Sequence, residues 1–137
     1  MSDLEQLLER VRAANGADRE IDGDIAEAFE IAPSHLPRVT HITSWLWAQF
    51  VEPDWETWEA PAFTSSIDAA LALVERVLPG WFGEDGRHRW GCHAVLYTGE
   101  GSGRVRIECY ASTRPLAILA ALLSALIAQR AALEEKK

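Results

Sequence analysis

Cysteine is scarce in this chain, with two among 137 residues. Cys92 and Cys109 cannot supply the disulfide framework of a small secreted scaffold, and a chain of this length buries a core without such staples. Cationic excess is also lacking. Thirteen Lys and Arg stand against 21 Asp and Glu, a formal charge of −8. That balance opposes condensation on nucleic acid, which needs a basic stripe to displace counterions, and it opposes an anionic membrane surface as well. The amino end, MSDLEQLLERVRAAN, has neither a basic n-region nor an apolar h-region, so secretion is not expected and the thiols should be reduced in a cytoplasm. The most apolar stretch, PLAILAALLSALIA at 115–128, has 14 residues, short of the roughly 20 that span a bilayer. It reads as a core helix or a helix at a subunit contact, and so predicts a homo-oligomer.

What is present is a globular composition, 48% hydrophobic and 25% charged, in one domain spanning 1–137. Leu4, Leu7, Leu8, Val11 and Ala14 follow helical spacing over residues 3–14. Asp18 can cap a second helix in which Ile21, Ile25, Ala28 and Phe29 share a face, so 1–31 reads as a helical hairpin. Inside it, DREIDGDIAEAF places acids at alternate positions and Gly23 sixth, like a calcium loop. Phe29 stands where that loop needs a bidentate Glu, and the apolar residues keep helical register throughout, so the acids read as a solvated helix face.

Residues 32–62 form a tryptophan-rich irregular insertion. Within it, 40–50 favours a strand by its Thr, Ile, Trp and Phe content, although Leu46 and Phe50 also fit one helical face. Trp45 and Trp47, with Trp55 and Trp58, either cover the core or clamp a planar ligand. From 63 to 137 the pattern is helix, hairpin, helix. Ser65 or Ser66 caps a helix burying Ile67, Ala70, Leu71, Val74 and Leu78, which Pro79 and Gly80 end. Ser112 or Thr113 caps the last helix, with Pro115 in its first turn and Leu116, Leu119, Leu123 and Leu126 in one stripe.

HRWGCH at 88–93 suggests a metal site or a strand, and strand is the reading taken. A continuous strand would set His88 and Cys92 roughly 13 Å apart and turn His93 to the other face, so chelation would need ligands from elsewhere, such as His35 or His41. HRWGCHAVLYT and GRVRIECYA, joined by GEGS, then form a hairpin over 88–111. Pairing Thr98 with Gly103 sets Leu96 against Val105, Ala94 against Ile107 and Cys92 against Cys109, all on an apolar face that also takes Trp90. The opposite face carries Arg89, His93, Val95 and Tyr97 beside Arg104, Arg106, Glu108 and Tyr110, with His93 facing Glu108 and Tyr97 facing Arg104. Such a face is either wet and dressed with cross-strand pairs or a site for an anionic or planar ligand. The fold class expected is an α/β sandwich (α+β), about four helices packed around a small, mainly antiparallel β-sheet centred on this hairpin.

Three stretches in order, ANGADREID at 14–22, FTSSIDAALALV at 63–74 and STRPLAILAALLSALI at 112–127, resemble the phage ABA sandwich domain, a group of small phage and prophage proteins. The equivalent stretches there read much like A-x-G-x-D-R-E-L-D, Y-T-x-S-L-D-A-A and a T-P-A-x-A-L helix start. This chain has TRP in place of TP and a longer, tryptophan-rich middle. The resemblance implies a sheet sandwiched by helices, a viral or prophage source and action in the cytoplasm of a host bacterium, and it carries over no catalytic residues. The function expected is a noncatalytic binding module that sequesters a small anionic ligand such as a nucleotide signal, or blocks a host protein, countering host defence. Its binding residues would be Arg89, His93, Tyr97, Arg104, Arg106, Glu108, Tyr110, Trp45 and Trp47, with no cofactor and no metal. Two alternatives stand beside it: a hydrolase or phosphodiesterase using His93 and Glu108 with Arg104 stabilising negative charge, and a structural protein of assembly.

Overall fold

Leucine and valine spacing at the amino end produces α1 (Asp3–Ala13), which buries Leu7 and Val11. The next helix, α2 (Arg19–Ala28), starts where the Asp18 carboxylate accepts the backbone N–H groups of Glu20 and Ile21 at 2.9 and 3.2 Å. These coordinates are a computed structural model that describes residues 3–30, 61–98 and 105–135. Helix α2 runs unbroken through the calcium-like string, burying Ile21, Ile25 and Ala26, while Ala28 is exposed. Glu20 is exposed, but two of the acids do not lie on a solvated face. Asp22 and Asp24 are buried: Arg19 donates to Asp22 at 2.8 Å, and Arg10 of α1 pairs with Asp24 and reaches Glu20 at 3.6 Å. Neighbouring cations and donors offset part of the desolvation that a buried carboxylate suffers, and Arg10 ties the two helices together.

Ser66 caps α3 (Ile67–Val77) by accepting the Ala69 N–H at 3.1 Å. The buried side is Ala70, Leu73 and Val74, continued by Leu78, whereas Leu71 turns outward. Thr64, just ahead of this cap, is buried against Asp22, so the ANGADREID and FTSSIDAA stretches meet in space.

The sheet has three antiparallel strands in the order β1 (Phe82–His88), β2 (Gly91–Thr98), β3 (Val105–Ala111). The strand β1 corrects the sequence reading, which has a single hairpin beginning at His88. FGEDGRH holds two glycines and three charged residues and shows no apolar alternation, so neither propensity nor period marks it. The register between β2 and β3 also differs: Leu96 opposes Ile107, Ala94 opposes Cys109 and Cys92 opposes Ala111. The slip is two positions, because residues 99–104, not 99–102, connect Thr98 to Val105. Side-chain parity has a period of two, so the apolar row keeps its face.

That row is Cys92, Ala94, Leu96 and Cys109, all buried, with Ile107 and Ala111 packed beside them. The helix α4 (Arg114–Glu135) lies across it and also packs on α1 and α3, which covers the apolar residues from Leu116 to Leu123. Thr113 supplies the cap, accepting the Leu116 N–H at 3.4 Å. Every residue from Leu116 to Leu123 is buried, and each such leucine contributes about 1.5–3 kcal/mol. At 22 residues α4 is longer than its apolar run and has the length and apolarity to cross a membrane, yet half of its most apolar window is buried inside this fold. The protein is thus an α+β fold of four described helices and a three-stranded antiparallel sheet, with helices packed on the sheet.

Candidate functional site

Arg89 and Trp90 form a two-residue turn between His88 and Gly91, which are paired across the hairpin. HRWGCH is therefore not one strand but the end of β1, a turn and the start of β2. Gly91 has a φ of +142°, and a Cβ there would stand 3.1 Å from the Ala111 carbonyl oxygen, so glycine is what lets the chain reverse. The reversal overturns the geometry assigned to the two histidines. His93 pairs with Gly86, one diagonal step from His88 on the same face, and Nε2 of His88 lies 2.5 Å from Nδ1 of His93.

Trp90, expected among the core side chains, is 76% exposed. Its ring stacks on His88 with centroids 5.2 Å apart and planes within 6°. His88 contacts His93 at 4.4 Å, and His93 contacts Tyr110 at 6.3 Å. Four rings thus run from the turn across all three strands, on the face opposite α4. Gly86 makes room for this row, since a Cβ there would stand 2.7 Å from Cε1 of His93.

The register redistributes the polar partners. His93 opposes Tyr110, not Glu108; Val95 opposes Glu108; Tyr97 opposes Arg106, not Arg104. Glu108 accepts from the Tyr110 hydroxyl and from Arg106, both at 3.0 Å. These bonds, the tyrosine first and then the arginine, hold the Glu108 carboxyl below its usual range, and the same bond pushes the Tyr110 phenol up. Tyr97 donates to Glu84 of β1 at 3.4 Å. Val95 is buried on this face, outside the main core cluster. Arg106 is already neutralised by Glu108, and Arg89 stands exposed in the turn. The face is consequently aromatic and imidazole-rich more than basic.

Of the residues expected to bind, Arg89, His93, Tyr97, Arg106, Glu108 and Tyr110 are brought to this hairpin surface, Arg89 at its turn. Trp45, Trp47 and Arg104, and with them Trp55, Trp58, His35, His41 and the strand-or-helix choice at 40–50, lie outside the described residues. The sequence reading weighed His88 as a metal ligand but set it apart from His93, placed Trp90 on the apolar face, and passed over Gly86. The available signal was Gly91: a glycine inside a strand pattern marks a break, and two residues before it make a turn.

Comparison with known proteins finds no matching family model, no matching curated protein and no matching solved structure.

Proposed function

We propose that this protein is a noncatalytic binding module that holds a small planar anion of the nucleotide class on the aromatic face of its sheet. One observation carries the reading: the Trp90 ring is backed on one side by a parallel His88 and leaves the rest of its surface to solvent. An indole held in this way is a ready stacking platform, and base stacking on an aromatic ring contributes about 1–3 kcal/mol. Arg89 adjoins that ring in the turn, and its guanidinium suits the phosphate of the same ligand. The net charge of −8 disfavours a long polyanion and leaves a short one.

The three stretches that resemble phage ABA sandwich domains support a place for this module among phage accessory proteins, acting inside a host cell by sequestering a nucleotide signal. A hydrolytic role has less support, because Glu108 is occupied by Tyr110 and Arg106 and does not oppose His93. The test is calorimetric titration with mono-, di- and cyclic nucleotides in the presence of a chelator, on the wild type and on Trp90→Ala. Saturable binding lost in the variant supports the reading. Absence of binding to every nucleotide, or retention in the variant, overturns it, and a host protein captured through the same face would replace the ligand assigned here.

A further inference from the structure

We infer that His88 and His93 form a binding site for a divalent transition-metal ion of the zinc type. The inference is independent of the nucleotide reading and rests on how the hairpin brings two imidazole ring nitrogens together. His88 ends β1 and His93 sits on β2 a diagonal step away, and the tight Arg89–Trp90 turn holds the strands in register between them. Nε2 of one ring and Nδ1 of the other converge to 2.5 Å. Two facing imidazole nitrogens need a single shared proton or a single cation between them, and two ring nitrogens held together favour the cation by chelation.

Both rings are held in place. His88 is packed between Trp90 and His93, at 5.2 and 4.4 Å between centroids. His93 lies in the space left by Gly86, where a side chain would collide with it. Metal–nitrogen bonds of about 2.0–2.1 Å at a tetrahedral angle require nitrogens about 3.3 Å apart, so the rings need to part by less than about 1 Å. Both histidines are half-buried, with room for that adjustment. Neutral imidazole selects zinc, copper and nickel over magnesium or calcium. The carboxylate of Glu108 on the next strand interacts electrostatically with His93 and adds negative charge beside the cation.

No group of three or more His, Cys, Asp or Glu suited to a metal occurs among the described residues, so the pair donates two ligands and leaves the other positions to water or an incoming anion. Cys92, although it lies within the same six-residue string, faces the core and is not a donor. The site was hidden in the sequence because HRWGCH read as a straight strand separates its histidines, and the turn brings them together.

The test is a titration of the full chain with zinc chloride in a non-coordinating buffer, followed by calorimetry and by the NMR signals of the histidine ring protons, without nucleotide. The wild type is expected to bind one zinc, with the His88 and His93 ring signals shifting together and saturating at one equivalent. His88→Ala and His93→Ala are each expected to weaken that binding roughly tenfold or more. Gly86→Ala, which pushes the His93 ring aside, is expected to weaken it as well. Unchanged affinity in both histidine variants, ring shifts confined to other histidines, or no saturation at millimolar zinc would overturn the inference. The ring-proton readout uses the unaltered protein, so it decides even if a variant fails to fold.

Discussion

Thr64 binds the Asp22 carboxylate twice, through its backbone N–H and through its hydroxyl, each at 2.8 Å and across 42 positions of sequence. The hydroxyl also accepts the Asp18 backbone N–H at 2.8 Å, so one side chain joins the start of α2 to the approach of α3. Removing the hydroxyl takes away one of the two bonds to the buried Asp22 carboxylate and leaves the Asp18 backbone donor without its acceptor. Thr64→Val, which keeps the shape, is expected to cost about 1–3 kcal/mol in urea unfolding. Ser65→Ala, at an exposed neighbour, should stay within about 0.5 kcal/mol. Equal behaviour of the two variants would show the network to be idle.

The same carboxylate has a pH signature. Burial pushes the Asp22 carboxyl above the ordinary aspartate value, against the lowering pull of Thr64 and Arg19. The folded state therefore holds this proton more tightly than the unfolded state does. Its contribution is fully present below the unfolded value and is lost as pH rises through the raised folded value. The stability of the wild type minus that of Asp22→Asn should accordingly fall with rising pH across that acidic window and then level off. A difference that is flat, or that rises, would contradict the assignment.

Helix boundaries were legible wherever a polar cap preceded an apolar period. Asp18, Ser66 and Thr113 each do this, and α2, α3 and α4 begin where expected. The apolar face of β2 and β3 was legible for a different reason: parity survives a slip of two, so Ala94, Leu96 and Cys109 point inward in either register. Three features were not legible. Strand β1 has no apolar row because it is an edge carrying glycine and charge. The histidine pair depends on a turn whose only mark is Gly91. The burial of Asp22 depends on Thr64, a partner too distant in sequence for any local pattern to announce.

Gly91 carries the reversal that builds the ring row. Gly91→Ala places a Cβ against the Ala111 carbonyl at a backbone angle that L-residues rarely adopt, and is expected to cost about 1–3 kcal/mol by chemical denaturation. It should also separate the His88 and His93 ring signals in NMR spectra. A neutral effect on both would mean that the turn tolerates another backbone geometry.

Cys92 and Cys109 are free and buried on the helix-covered face, the latter 3.4 Å from the Ser124 hydroxyl of α4. An aromatic disulfide reagent should label neither thiol in native buffer, and both should react together once denaturant opens the core. Rapid labelling of one thiol in the native protein would place the α4 contact at the edge of the fold and not at its centre.

Trp90 should separate binding from stability. With its ring largely in solvent, Trp90→Ala is expected to change the unfolding free energy by no more than about 0.5 kcal/mol. Nucleotide affinity should fall roughly ten- to hundredfold, the equivalent of one lost stacking contact. A large stability loss with unchanged affinity would reassign the ring to structure.

The placement of α4 orders events in time. Sheet, α1 and α3 all pack on this one helix, and it follows every one of them along the chain. During vectorial synthesis the earlier elements emerge with their oily sides bare and nothing to close on. Until residues 114–125 have been made, the apolar faces of the sheet, α1 and α3 lack the helix that buries them, and such bare surface is what makes a nascent chain prone to misassembly.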